Sequence, residues 1–282
     1  MPRIPLASLS ASPSEALTER WLGALDERLR DPATDRADLC RDTLLELAHP
    51  TYVGQWTEAV ADEGLPLGTR LALAALDPRH VTLEPEYYGD CDQTRFQRVK
   101  PLLWLWYSFD RLPIGGQAVA LGVRLRRVLA PHIFRSVGRN FKCFQHVEFS
   151  FGYNLEVGDD VVVHRHVLLD DRGGIRLGHR VSISDYANIY SHTHSIVEQV
   201  DVTNAQTVLA DDVRVTYHAT VLAGVHVGVN GMVGAMAVAT KDVRPYHVNV
   251  GIPAKSVRVK PNAPAGAEDR LRTASDRGRA DS

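Results

Sequence analysis

The chain is 282 residues long, 44% hydrophobic and 23% charged, with a formal charge of -2 and a pI near 6.6. These values suit a globular protein and offer no basic field of the kind that gathers nucleic acid. The most apolar window, Leu102 to Phe109, falls far short of the roughly 20 residues that span a bilayer. No basic, apolar, small-residue leader opens the sequence. Cys40, Cys91 and Cys143 form neither a disulfide framework nor a CxxC metal pattern, so a reducing cytoplasm is the expected location.

Residues 1–130 predict an α-helical N-terminal domain. Ser12-Pro13-Ser14-Glu15 reads as a capping box with proline at the first helical position. Leu17, Trp21, Leu25 and Leu29 then fall at four-residue spacing and predict one buried stripe, which Asp31-Pro32 ends. Shorter helices are predicted around Leu39 to Ala48 and Leu67 to Leu76, set off by His49-Pro50, Leu65-Pro66 and Asp77-Pro78. The aromatic run Leu102 to Tyr107 reads as buried, and the basic stretch Arg124 to Arg127 leads into a second domain at 131–260.

From Val137 the period becomes six. Apolar residues stand at Val137, Cys143, Phe149; Val157, Val163, Leu169; Leu177, Ile183, Ile189; Leu209, Val215, Val221; and Val227, Val233, Ala239. Four positions after each, the residue is almost always Val, Ala, Gly or Thr. Extra residues enter at 155–156, 175–176 and 195–208, each time after a third hexad. Three six-residue edges therefore close one coil of a triangular prism, and all the insertions leave from one corner. A parallel β-helix of five coils is predicted, because each coil buries its apolar ring only by stacking on its neighbours. Beyond Lys260 the composition turns to Pro, Ala, Gly, Asp and Arg without periodicity, and 261–282 reads as a disordered tail.

His192 and His194 flank Thr193, which the hexad register places inward, so both imidazoles are expected to project outward just before the 14-residue insertion. Loops of that length in a tight solenoid are commonly functional. His164 and His166 flank Arg165 on another outward edge.

The stretches Asn188 to His194, Val233 to Val243 and Val250 to Lys255, together with the hexads over 137–259, resemble the hexapeptide-repeat acyl-CoA-dependent O-acyltransferases, in their sugar and polysaccharide acetyl- or succinyltransferase branch. The resemblance implies a left-handed β-helix and a homotrimer with active sites between subunits. It also implies direct acyl transfer from acetyl- or succinyl-CoA, the co-substrate, to a carbohydrate hydroxyl; no permanently bound cofactor or metal is expected. His194 maps onto the family's general base, a role that imidazole suits because its ordinary pKa lies near neutrality. His192, His164, Arg165, His166 and His218 are candidates for acceptor or acyl-group binding. The asparagines that sugar acetyltransferases typically carry near this edge are absent, and Arg165 offers instead a partner for a carboxylate, either on the acceptor or on a dicarboxylic acyl group such as succinyl. Tyr217, Ala235, Thr240, Lys241 and Lys255 map onto the coenzyme A groove. Two rivals share the fold: a γ-class carbonic anhydrase-like metalloenzyme, suggested by the paired His-x-His motifs, and a non-catalytic scaffold.

Overall fold

The structure is a computed structural model that describes residues 13–116, 118–198 and 200–265. Ser12 of the expected capping box and residues 266–282 of the expected tail lie outside the described residues. The chain forms two compact units, a helical one ending at Ile133 and a β one beginning at Phe134.

The helical unit holds α1 (Pro13–Arg30), α2 (Arg36–Ala48), α3 (Trp56–Ala61), α4 (Leu67–Ala74), α5 (Gln93–Arg111), α6 (Pro113–Gly116) and α7 (Val119–Ile133). Asp35 starts α2 by accepting hydrogen bonds from Ala37 N and Asp38 N, the ordinary service of an N-cap carboxylate. Leu22, Leu25 and Leu29 of α1 are buried, whereas Leu17 is 56% exposed; the expected stripe therefore begins one turn later, at Trp21 and Leu22. The aromatic run lies on α5, where Leu102, Leu105, Trp106 and Phe109 are buried and the helix packs on α2 and α7. The basic stretch lies within α7 and is matched by acids: Arg124 reaches Glu15 and Glu19, and buried Arg126 pairs with buried Asp110.

The β unit is a parallel β-helix with three faces. One face carries strands Ser136–Val137, Leu155–Val157, Ile175–Leu177, Thr207–Leu209 and His226–Val227; a second begins at Lys142–Cys143, and a third at Glu148–Phe149. Fourteen of the fifteen predicted hexad positions are buried, the exception being half-buried Val137 in the first coil. Each Val, Leu or Ile so enclosed contributes roughly 1.5–3 kcal/mol. Register on the first face runs Val137↔Val157↔Leu177↔Leu209↔Val227, so the long insertion between Leu177 and Leu209 leaves the prism in step. Five coils are complete. The chain then begins a sixth, with Val243 bridging to Val227 and His247–Val250 joining the second face.

The three corners differ in chemistry. Between the first and second faces, Asn140, Asp160, Arg180, Asp212, Asn230 and Tyr246 take positive φ; between the second and third, His146, His166, Tyr186, His218 and Met236 do. Such backbone costs an L-residue about 1–2 kcal/mol, sustained here by the ladder hydrogen bonds on either side. The third corner, between the third and first faces, instead uses glycines at Gly152, Gly174 and Gly224. All the insertions leave there.

Candidate active site

The longest insertion is a β-hairpin. His192–His194 pairs antiparallel with Val202–Asn204, joining His192 to Asn204 and His194 to Val202. The chain leaves the prism at buried Ser191, whose carbonyl accepts from Ala205 N at 2.9 Å where the hairpin returns. Thr193 is accordingly exposed and not inward. The hexad register stops at Ile189, because strand pairing within the hairpin replaces coil stacking from His192 onward. Ser195 Oγ accepts from Val197 N and Glu198 N to form the turn, and Ile196, Val197 and Val200 at the tip are almost wholly exposed.

Beneath the hairpin lies a buried acid. Asp170, 2% exposed, accepts from Ser150 Oγ at 2.5 Å, from Ser191 N at 3.1 Å and from His192 Nδ1 at 2.5 Å. The carboxylate accepts from the His192 Nδ1–H and so fixes the orientation of the ring. His192 is edge-on to His194, with ring centroids 5.3 Å apart, and His194 lies at the exposed rim. Asp171, fully buried, accepts from Phe151 N, Gly152 N and Asn154 N at 2.7–3.0 Å. Burial raises its pKa to about 6 in spite of those three donors.

The other candidate acceptor residues stand at a different corner. His146, His166, Tyr186 and His218 stack ring on ring through successive coils, with centroids 4.7, 4.7 and 4.8 Å apart. His164 stacks on Phe144 at 5.1 Å and is half-buried, which lowers its pKa below the usual histidine value. Arg165 donates through Nε to Asp185 at 3.3 Å, so its charge already has a carboxylate beside it. The two His-x-His pairs occupy separate corners and do not converge within one chain. Among the groove candidates, Tyr217 stands edge-on to Tyr186 and His218 and is exposed, as is Ala235 one coil further on. Thr240 and Lys241 are exposed at the end of the third face, and Lys255 opens the exposed return strand Lys255–Val259.

No family model matches the chain. The galactoside O-acetyltransferase of Escherichia coli (strain K12) is 24% identical over 140 residues, covering 48% of this chain and 69% of that protein. A maltose O-acetyltransferase from Clostridium difficile 630 superimposes with a TM-score of 0.52 at 22% identity, over 61% of this chain and 90% of its own. A hexapeptide-repeat acetyltransferase from Vibrio cholerae, solved with acetyl coenzyme A, is 24% identical over 49% of this chain and 77% of its own, with a TM-score of 0.47. The chain is similar to the hexapeptide-repeat acetyltransferases.

Within this hexapeptide-repeat solenoid, three residues escaped the sequence reading: Ser150, Asp170 and Ser191. They stack at the glycine corner of coils one, two and three, 20 and 21 positions apart. The available signal was the doublet Asp170-Asp171 directly after an apolar edge, a place where a surface turn and a buried carboxylate look alike. Among the described residues, no helix is long and apolar enough to cross a membrane.

Proposed function

We propose that this protein transfers an acetyl group from acetyl-CoA to a hydroxyl of a sugar or polysaccharide, with His194 as general base and His192 as the residue that positions it. The observation that carries the proposal is the paired imidazoles on the hairpin, one of them fixed from below by buried Asp170. Asp170 orients His192, and His192 in turn packs edge-on against His194, so the base stands against a fixed neighbour. His194 removes the hydroxyl proton as the oxygen attacks the thioester carbonyl carbon. The C–S bond then breaks, and the imidazolium returns the proton to the departing thiolate, giving free coenzyme A. Such a base is worth about 10²–10⁴ in rate.

Acetyl is preferred over succinyl because Arg165, the cation that would meet a succinyl carboxylate, already faces Asp185. Tyr217 and Ala235 would line the pantetheine path, Thr240 the turn beside it, and Lys241 and Lys255 would meet the phosphates. Tyr217, Ala235 and Lys255 stand at the corner between the second and third faces, away from His194, whereas Thr240 and Lys241 end the third face at the hairpin's own corner, two coils further on. The distance of Tyr217, Ala235 and Lys255 from the hairpin's corner supports a homotrimer, in which a neighbouring copy brings that corner to the hairpin. Acyl-CoA as donor would place the reaction in the cytoplasm.

The test is a donor screen with acetyl- and succinyl-CoA against a panel of sugars and glycans, following free thiol release. Acetyl transfer to a hydroxyl is expected. Failure of both donors with every acceptor, alongside metal-dependent hydration of carbon dioxide, would overturn the proposal in favour of the metalloenzyme.

A further inference from the structure

A polar cleft of about 340 Å³ opens in the helical unit, between the start of α2 and the middle of α5. Its walls present Arg36, Arg79, Arg98 and Lys100 against a single acid, Asp35. These charges are unequally engaged. Arg79 is held by Asp35, Asp38 and Asp77 at 3.1, 2.9 and 3.1 Å. Asp35 is occupied in addition by the backbone N–H groups it caps. Arg36 donates to the Arg98 carbonyl oxygen at 3.1 Å, which brings two guanidinium-bearing residues of different helices side by side.

Lys100 decides the matter. The residue is only 8% exposed, yet among the described residues its ammonium makes one hydrogen bond, to the Arg79 carbonyl oxygen at 3.2 Å. An ammonium carries three donors, and a buried charge is ordinarily paired or neutralised. Burial accordingly lowers the Lys100 pKa below the usual lysine value, with Asp77 opposing the shift and the Arg79 charge adding to it. A leucine or methionine would fill the same place on α5 without that penalty.

We infer that this cleft binds a phosphate-type dianion, with the Lys100 ammonium beneath it and the Arg36 and Arg98 guanidinium groups on either side. Three cations suit a dianion better than a single carboxylate, and the planar fork of arginine matches phosphate oxygens. The volume lies at the small end of ligand clefts, which run roughly 300–1,000 Å³. It fits a phosphate group or a small phosphate monoester such as a sugar phosphate. The site is built from the helical unit alone and stands whether or not the acyl transfer proposed for the β unit is correct.

Isothermal titration of the full chain with sodium phosphate, and separately with glucose 6-phosphate, tests this against sodium chloride at matched ionic strength. Saturable binding is expected. Arg98→Ala, at an exposed position, should weaken it about tenfold or more, the loss of one charge-assisted hydrogen bond. Lys100→Met should abolish it while melting no lower than the wild type in chloride, since a desolvated charge is removed. Tighter binding of glucose 6-phosphate would identify a phosphate ester as the ligand, and tighter binding of inorganic phosphate the free ion. Absence of saturable heat in the wild type, or Arg98→Ala binding as tightly as the wild type, would overturn the site.

Discussion

Two corners of the same solenoid carry groups of histidines, and the two groups sit in opposite surroundings. At the corner between the second and third faces, His146, His166 and His218 recur in step with the coils and lie ring against ring with Tyr186. At the glycine corner, His192 and His194 stand where the step breaks, on a hairpin anchored by a buried carboxylate. Histidine that keeps the repeat serves the ladder. On the proposed function, histidine that interrupts it is the one used for chemistry, because a residue freed from stacking can be oriented by a partner of its own.

The comparison breaks first at His194. Its replacement by alanine should lower acetyl-transfer turnover at least about a hundredfold with the fold intact, which steady-state kinetics and a melting curve together would show. Asp170→Asn comes next. It removes the charge that fixes the orientation of the His192 ring, and turnover should fall about tenfold or more with the acetyl-CoA KM unchanged. A change confined to KM would make Asp170 a binding residue instead. Lys241→Ala should raise the acetyl-CoA KM several-fold and lower turnover less, the loss of one exposed phosphate contact; an unchanged donor KM would remove Lys241 from the groove.

The smallest effect expected on turnover is at the ladder. His166→Ala breaks its stacks on both His146 and Tyr186, should cost about 1–3 kcal/mol of stability, at about 0.5–1.5 for each pair, and should leave turnover within about twofold. Denaturant unfolding and kinetics on the same preparation would check both numbers. Asp171 sharpens the contrast through pH. Its folded pKa, about 6, lies above the ordinary 3.8, so between those values the folded state binds more protons than the unfolded chain. Its contribution to stability is therefore greatest at low pH and declines as pH rises from about 4 to 6. Relative to Asp171→Asn, the wild type should lose stability across that window and then level off. A flat difference would contradict the assigned burial penalty.

The prism was legible from the sequence because an apolar residue every sixth position is a demand that only stacked coils satisfy; Val163, Ile183, Val215 and Val233 are buried as that demand requires. The start of a sixth coil was not, since its edge is marked only by Val243 before the chain turns back. Thr193 misled because its hexad position is formally inward, and a local hairpin outweighed the repeat once the chain had left the corner. Asp170 stayed hidden for a different reason. Its partners Ser150, Ser191 and His192 are 20, 21 and 22 residues distant in sequence, and that distance becomes adjacency only when the coil register is known. Leu17 fell outside the α1 core although its spacing fits, because burial also needs a facing surface.

The sharpest trial places two histidines side by side: acetyl-transfer turnover of His194→Ala and of His166→Ala, measured at saturating acetyl-CoA and acceptor. The hairpin variant should lose at least about a hundredfold and the ladder variant less than about twofold. Comparable losses in the two, or a larger loss at His166, would contradict the assignment of chemistry to the corner where the repeat breaks.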